Sequence, residues 1–324
     1  MLDHGSFVIS LDYELMWGMH DRVTKDGYGH THVQNVPEVM ERLLSLIRKY
    51  DVHVTIATVG MIMYDNKETL LGDLPDSKPS YVNKRCSPYD SALIDQIQND
   101  ERLLFFQPDV VERLKGSSLV EIGCHTFCHY YCWEKGQTIR QFEDDMKKAV
   151  EIAQRNGITL KSIVFPRNQV SQEHLQVCYK YGIKCYRGNA LKYFNQPRNK
   201  FEWYKNRICR IFDAYLNIGG MTSFPYTDID KSEKPINIRA SRMLRPFSPK
   251  LAFLDGLRLK RMCNEMRYAA KHNECYHIWW HPHNFGANIN ENLAFLEKLL
   301  QCFSNCNQKY GMKSYSMSEL IELI

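Results

Sequence analysis

Short apolar runs that each end in a cluster of polar residues recur along this chain, and they constrain its fold most strongly. The run at residues 119–122 ends at Gly123 and is followed at once by two histidines, His125 and His129. Amphipathic helical patterns separate these runs, so strand and helix alternate. This alternation predicts an α/β fold with a mostly parallel sheet, in which functional groups gather at the carboxyl ends of the strands.

The pattern assigns most of the chain to strands and helices. Predicted strands cover residues 6–11, 51–58, 119–122, 160–165, 184–186, 276–280 and 314–318. Predicted helices cover residues 37–50, 90–100, 108–115, 138–156, 171–181, 255–273 and 292–310, with a closing turn at 317–324. The length of 324 residues suits one catalytic domain spanning 1–324, with insertions at 65–107 and 190–250 that shape the site.

Composition excludes several classes of function. The net charge of +5 is too small to indicate nucleic-acid binding, and no nucleic-acid motif is present. The 11 cysteines form no Cys-x-x-Cys pair and no disulfide framework, which is typical of a reducing compartment. No secretory signal and no apolar run of about 18 residues is visible, so we expect a cytoplasmic protein without a transmembrane segment.

His125 and His129 are candidate metal ligands. On a helical turn, residues four apart stand one above the other, with Cβ atoms about 6 Å apart. Both imidazoles can then reach one zinc ion at about 2.0–2.1 Å. Asp12 and Glu14 follow the first predicted strand at positions i and i+2, so their side chains point the same way. One of these carboxylates can supply a third ligand, and the other is then free to act as a general base.

Further polar groups follow other predicted strands. Arg167 follows the strand at 160–165 and can orient the base through a bidentate contact. His281 follows the strand at 276–280 and can protonate a leaving group, and His283 is the alternative acid. Together these groups predict the metal-assisted hydrolysis of an amide or ester.

The chain resembles the polysaccharide deacetylase family. The resemblance rests on Asp12-Tyr-Glu14, His125-Thr-Phe-Cys-His129, the Phe-Pro-Arg segment and the apolar strand that ends in His281-Pro, in the family's motif order. It implies a distorted barrel of seven to eight parallel strands ringed by helices. It also implies a divalent metal, most often zinc, and removal of an N-acyl group, with acetyl as the expected group, from an amino sugar.

The resemblance also implies roles for individual residues. Asp12 corresponds to the family's base, Glu14, His125 and His129 to its metal ligands, and His281 to its late catalytic histidine. This chain departs from the family in two places. Its opening motif is Asp-x-Glu where adjacent aspartates are commonest, and its arginine segment reads Phe-Pro-Arg-Asn in place of Arg-x-Pro-Tyr.

Four further residues are candidates for substrate binding. A backbone N–H at or near Tyr13 could hold the oxyanion, Trp17 could stack on a sugar ring, and His283 could line the site. Arg242 belongs to a ladder with Arg239 and Arg245 that, with the basic and aromatic stretch 192–210, could meet a diphosphate or a membrane surface.

Without an export signal, we expect the substrate to be a biosynthetic precursor of a surface polysaccharide or glycoconjugate. The N-acylated amino sugar would be linked to a nucleotide or to a lipid carrier. Three other functions fit the same sequence: an allantoinase-like cyclic-amide hydrolase, a glycoside hydrolase with a related barrel, and a non-catalytic glycan-binding or scaffold protein. A glycoside hydrolase would need two carboxylates but no essential metal.

Overall fold

The computed structural model describes residues 2–90, 93–98, 101–190, 213, 215–217 and 219–324. The strands are β1 (Ser6–Tyr13), β2 (Val54–Thr58), β3 (Val120–Cys124), β4 (Ser162–Ile163), β5 (Cys185–Gly188), β6 (Phe224–Pro225), β7 (Ile236–Arg239), β8 (Arg242–Met243), β9 (Glu274–Trp280) and β10 (Lys313–Tyr315). The α-helices are α1 (Val36–Tyr50), α2 (Lys67–Leu71), α3 (Arg102–Phe105), α4 (Pro108–Lys115), α5 (Ile139–Arg155), α6 (Gln172–Lys180), α7 (Asp255–His272), α8 (Ile289–Tyr310) and α9 (Met317–Leu323).

The described strands form one sheet in the order β6-β9-β1-β2-β3-β4-β5-β7. Neighbours along this path are parallel except β6, which runs antiparallel to β9. The strand β10 pairs with the first half of β1, and β2 pairs with its second half. The predicted mostly parallel α/β fold is confirmed.

The segment of β7 and β8 curls the sheet into a distorted barrel. The strand β7 pairs with β5 and β8 pairs with β9. Between them, the N–H of Ala240 donates to the carbonyl of Gly188, and the N–H of Ser241 donates to the carbonyl of His277. One bent segment therefore joins the two sides of the sheet. Residues 236–243 lie within the second predicted insertion, 190–250, and the structure makes them part of the barrel wall. The stretch 192–210 lies outside the described residues.

Alternate residues of β1 face two different environments. Phe7, Ile9, Leu11 and Tyr13 belong to the large apolar cluster that joins the sheet to the helices. The opposite face of β1 lies inside the barrel. There Val8 belongs to a smaller apolar cluster, which includes Met317 and Leu320 of α9 together with residues of β5, β7 and β9. Further along this face come Ser10 and Asp12, so polar residues occupy the barrel interior toward the carboxyl ends of the strands.

Most predicted elements are confirmed with shifted bounds, but the predicted helix at 90–100 is wrong. Of its described residues, 90 and 93–96 form turns and 97–98 have no regular secondary structure. The ammonium of Lys67 donates to the backbone carbonyls of Asp95 and Ile97, and Ile94 and Ile97 are buried. The irregular backbone here thus buries two isoleucine side chains without forming a helix. Among the described residues, no helix has both the length and the apolar character needed to cross a bilayer.

The turn after β9 packs closely against the segment before α1. Gly286 follows this turn, and the amide of Asn35 donates to its carbonyl at 2.9 Å. A Cβ added at Gly286 would lie only 2.0 Å from the carbonyl oxygen of His32. The missing side chain is therefore what allows the turn that carries His281 and His283 to approach this backbone.

We expect Gly286→Ala to lower the free energy of unfolding by about 1–3 kcal/mol, because the backbone must shift to admit the methyl group. Chemical denaturation measures this change. Gly256→Ala is the matched control, since a Cβ there meets nothing within 4 Å. The control should be neutral or slightly stabilising in a helix. Equal stability of the two variants would contradict the close approach.

Candidate active site

Asp12 and Glu14 lie at the carboxyl end of β1. Asp12 is inside the barrel and Glu14 follows the last strand residue, and their exposed fractions are only 4% and 5%. Two carboxylates buried this deeply need compensating charges or hydrogen bonds. The structure supplies a different set of partners to each.

The loop that carries His125 and His129 is not the helical turn expected from the sequence. Thr126 and His129 have positive φ angles of 62° and 60°, which interrupt any helix. The carboxylate of Asp145 on α5 accepts from the backbone N–H groups of Phe127 at 2.7 Å and Cys128 at 3.1 Å. Burial raises the pKa of Asp145 to about 6, although these N–H groups favour its ionised form. A buried carboxyl group, in place of helical hydrogen bonds, therefore sets the conformation of this loop.

The loop brings both imidazoles to one carboxylate oxygen. Oε2 of Glu14 lies 2.9 Å from Nε2 of His129 and 3.3 Å from Nε2 of His125. Nδ1 of His125 lies 2.7 Å from the carbonyl oxygen of Val164, so this nitrogen carries the proton and donates. In the neutral ring, Nε2 of His125 then directs a lone pair at the Glu14 oxygen. Two lone pairs at this distance repel unless a cation lies between them.

The protonation states of the group favour metal binding. Burial alone would raise the pKa of Glu14, but the nearby His281 and His129 hold it well below its usual value. Burial lowers the pKa of His129 to about 4 despite the attraction of Glu14. An ionised carboxylate and a neutral imidazole are the forms that bind zinc. Ligand atoms of Glu14, His125 and His129 all lie within 4.8 Å of one another, so the donor set fits a divalent metal.

A second group with similar spacing, Asp26, His30 and Glu101, does not offer a comparable centre. Asp26 and His30 are exposed. The ammonium of Lys25 lies 2.7 Å from Oε1 of Glu101 and already provides a positive charge there.

Asp12 is held by Arg187 of β5, which the sequence reasoning missed. The guanidinium donates to Oδ1 of Asp12 at 2.5 Å and to Oδ2 at 2.8 Å, and it also donates to Asn168. Burial would raise the pKa of Asp12, but the charges of Arg187 and His281 outweigh it and lower the pKa. Arg187 is 1% exposed and stacks over the ring of Trp279. An arginine within a short apolar strand was the available signal, because such a buried charge requires a partner.

Arg167, the expected partner of Asp12, lies elsewhere. Its guanidinium pairs with Asp21 and Glu134 and lies 3.9 Å over the ring of Tyr131. Arg167 and Asn168 both have positive φ angles, 55° and 53°. This reversal of the backbone turns Arg167 toward Asp21, while Asn168 contacts Arg187.

His281 and His283 reach the carboxylates from the turn after β9. Nε2 of His281 lies 3.7 Å from both Oδ2 of Asp12 and Oε1 of Glu14. Nε2 of His283 lies 3.9 Å from Oε1 of Glu14. The two side chains differ in burial, since His281 is 22% exposed and His283 is 3% exposed. The side-chain amide of Asn284 donates to Nδ1 of His281 at 3.3 Å.

The side chains of Tyr13 and Trp17 do not line the site. Tyr13 is on the helix-facing side of β1, opposite to Asp12, and its hydroxyl donates to Gln107 at 2.5 Å. Trp17 is fully buried, and its indole N–H donates to the carbonyl of Phe105 at 2.7 Å. The strand alternation that aligns Asp12 with Glu14 necessarily directs Tyr13 to the opposite face.

Arg242 is also engaged in the protein interior. Its Nε donates to Oε2 of Glu265 at 2.8 Å, and Nη2 donates to Oδ2 of Asp213 at 3.0 Å. Arg239 of the same predicted ladder pairs with Asp228 at 2.7 Å. Arg239 is the last residue of β7 and Arg242 the first of β8, so their spacing follows from the bend between these strands. Both arginines neutralise carboxylates of the chain itself.

The family model described as "Polysaccharide deacetylase" matches residues 25–186. This match covers half of the chain and includes the loop of His125 and His129. The chain belongs to the polysaccharide deacetylase family. No curated protein sequence matches it significantly.

Solved structures that share the deacetylase fold are distant in sequence. A protein described as a polysaccharide deacetylase from Mycobacterium smegmatis has a TM-score of 0.61 and 11% identity, covering 100% of this chain and 92% of its own. The GH57 branching enzyme of Thermococcus kodakaraensis has a TM-score of 0.57 and 10% identity, and the match covers 98% of this chain and 71% of the enzyme. The 4-alpha-glucanotransferase of Thermococcus litoralis has a TM-score of 0.55 and 9% identity, and the match covers 100% of this chain and 41% of the enzyme. At such low identities these similarities concern the fold alone.

We expect Asp145→Ala to lower the free energy of unfolding by about 1–3 kcal/mol, because two buried backbone N–H groups lose their acceptor. It should also weaken zinc binding, measured by competition with a chromogenic chelator, because the loop of His125 and His129 loses its support. Asp144→Ala, which removes a partly exposed neighbouring carboxylate, is the control. Unchanged stability and zinc affinity in Asp145→Ala would contradict the role of this carboxyl group.

Proposed function

We propose that the chain is a metal-dependent hydrolase that removes an N-acyl group, most simply acetyl, from an amino sugar. One observation carries this proposal. The donor atoms of Glu14, His125 and His129 converge beside an ionised Asp12 that is clamped by Arg187. Membership of the polysaccharide deacetylase family supports the class of substrate.

We assign the metal to Glu14, His125 and His129, with zinc as the first candidate. Two imidazoles and one carboxylate form a donor set typical of catalytic zinc, which leaves further positions for water and substrate. A bound ion would supply a Lewis acid that polarises the acyl carbonyl and stabilises the negative charge developing on its oxygen.

Asp12 is the candidate general base. Its lowered pKa keeps it ionised, so one of its oxygens can accept a proton from the attacking water. Both contacts from Arg187 fix the orientation of this carboxylate, and each carboxylate oxygen retains a second lone pair for the proton. Arg187 therefore takes the positioning role that the sequence suggested for Arg167.

His281 is the candidate acid that protonates the departing amine. Its Nε2 is near both carboxylates, and its partial exposure places it on the open side of the site. Burial, reinforced by His281, lowers the pKa of His283 to about 3, so His283 is neutral and a poor source of protons. We assign His283 the role of packing against Glu14, because its Nε2 lies 3.9 Å from Oε1 of that carboxylate.

The state of the cysteines favours a precursor substrate within the cell. The ten described cysteines are free thiols, which accords with a reducing compartment. We therefore propose action on an N-acylated amino sugar during the synthesis of a surface polysaccharide or glycoconjugate. The ion pairs of Arg239 and Arg242 give no support to a diphosphate contact at these two residues.

Asp12→Asn should reduce acetate release by at least about 100-fold, because the amide cannot take a proton from water. The zinc content should stay near that of the wild type, since Asp12 is not a proposed ligand. Acetate release from N-acetylglucosamine oligomers and metal analysis give the two readouts, with chelated wild-type enzyme as the inactive control. Retained activity in Asp12→Asn would contradict the base assignment, and chelator-insensitive glycan cleavage would favour a glycoside hydrolase.

Arg187→Lys should lower kcat by about tenfold or more, because a single ammonium cannot reproduce the paired contact that orients Asp12. The effect should fall on kcat more than on KM, since Arg187 is buried beneath the site. Steady-state acetate release measures both constants. A pure increase in KM would indicate that Arg187 binds substrate instead of positioning Asp12.

A further inference from the structure

The helices α7 and α8 pack side by side and run in the same direction. The guanidinium of Arg258, near the start of α7, lies 3.9 Å from the centre of the ring of Phe295 in the first half of α8. The ammonium of Lys271, near the end of α7, lies 5.7 Å from the centre of the ring of Tyr310 at the end of α8. These contacts follow the same order along both helices, so side chains in the middle of each helix face the other.

Three cysteines lie in this helix interface, and we name them the thiol cluster: Cys263, Cys302 and Cys306. Cys263 is on α7, and Cys302 and Cys306 lie four residues apart on one face of α8. Sγ of Cys302 lies 3.8 Å from the backbone carbonyl oxygen of Cys263. The thiols of Cys263 and Cys306 are both hydrogen-bonded to the sulfur of Cys302. A buried cysteine often packs as a small apolar residue, but here one sulfur contacts two other thiols.

The surroundings of Cys302 favour its ionised form. Hydrogen bonds from Cys263 and Cys306, together with the nearby charge of Arg267, lower the pKa of Cys302 although burial opposes them. The hydrogen bonds to Cys302 raise the pKa values of Cys263 and Cys306, so the negative charge resides on one sulfur. A thiolate is the nucleophilic form of cysteine, and reactive cysteines are found in electropositive surroundings. Cys302 is therefore the nucleophile of the thiol cluster.

The thiol cluster lies close to the protein surface. Asn264 and Arg267 on α7 and Asn305 on α8 are exposed beside it. Cys263 and Cys302 are 6% and 5% exposed, whereas several cysteines of the barrel are fully buried. This opening is too small for a large ligand, but hydrogen peroxide is only slightly larger than water. The accessible chemistry is therefore that of a small oxidant.

Helix geometry selects Cys263 as the disulfide partner of Cys302. Residues four apart on one helix have Cβ atoms about 6 Å apart, whereas a disulfide requires a Cβ separation of about 3.5–4.5 Å. Cys302 and Cys306 could therefore join only if α8 unwound locally. Cys263 belongs to a separate helix, which can approach Cys302 by a small shift without loss of helical hydrogen bonds.

We propose that Cys302 is a site of reversible oxidation by hydroperoxides and that it forms a disulfide with Cys263. The sulfur of Cys302 attacks one oxygen of hydrogen peroxide, the O–O bond breaks, and the departing hydroxide takes the thiol proton of Cys302 to become water. The sulfur of Cys263 then attacks the sulfenic acid of Cys302. The S–S bond forms as the S–O bond breaks, and the departing hydroxide takes the proton of Cys263 as a second water.

Overall, two thiols and one peroxide give one disulfide and two water molecules. A low-molecular-weight thiol restores the two cysteines by thiol–disulfide exchange and is itself oxidised to a disulfide. In a reducing compartment, disulfides of this transient kind are usually redox-sensing or catalytic. The bond would close a loop that contains β9 and the turn of His281 and His283, and so would restrain the segment that carries the candidate acid.

The test treats the wild-type protein with hydrogen peroxide and maps its disulfides by mass spectrometry. Chymotryptic cleavage after Phe303 separates Cys302 from Cys306. We expect a link between Cys263 and Cys302 that dithiothreitol removes, and loss of this link in Cys302→Ser. Cys306→Ala is the matched control on the same helix. It should keep the link but form it about threefold more slowly or less readily still, because the thiolate loses one hydrogen-bond donor.

Three results would overturn the proposal. They are a link between Cys302 and Cys306, oxidation of Cys302 to its sulfinic acid without a link, and full retention of both thiols in peroxide. The map of the wild-type protein alone distinguishes these results, so the test does not depend on the folding of Cys302→Ser. The proposal is also independent of the hydrolase function, which acetate release by the reduced protein tests separately.

Discussion

The rest of this structure depends on the burial of two carboxylates, Asp12 and Glu14, at the end of one strand. Removing such charges from water costs several kcal/mol per ion unless they are paired. Arg187 compensates Asp12 with two hydrogen bonds. Glu14 instead faces the Nε2 atoms of His125 and His129, and the proton of His125 is committed to Val164. The arrangement around Glu14 is therefore stabilised best by a cation.

The barrel provides the support that these charges require. Closure through β7 and β8 brings β9 and β5 around β1, so their side chains meet inside the barrel. Below Asp12, the hydroxyl of Ser10 lies 2.8 Å from His277 and accepts from Arg187 at 3.1 Å. Burial, with a contribution from Arg187, lowers the pKa of His277 to about 3, so it adds no positive charge. The hydroxyl of Ser10 and the neutral ring of His277 thus lie between the ion pair of Asp12 with Arg187 and the smaller apolar cluster around Val8.

Strand and helix periodicity predicted the mostly parallel α/β sheet because each amphipathic element has one dominant buried face, whereas the distorted barrel was implied by the family resemblance. The same reasoning brought Asp12, Glu14, His125 and His281 together, since each follows a strand in a parallel sheet. This reasoning did not identify Arg187, because its pairing with Asp12 depends on how the curvature of the sheet brings β5 close to β1. Trp17 was misplaced because its position near the motif gave no information on which way its side chain points. The role expected at Tyr13 concerned its backbone N–H and stays a prediction. The loop of His125 likewise depends on Asp145, a residue distant in sequence.

The most direct test of the account is the location of the bound metal. Anomalous diffraction at the zinc edge, from crystals of the protein grown with zinc, would locate the ion without reference to activity. The account predicts one ion per chain within about 2.0–2.2 Å of Glu14, His125 and His129, with Asp12 bound to Arg187 and outside the coordination sphere. Zinc coordinated by Asp12 in place of Glu14, or no ion at these three residues, would contradict it.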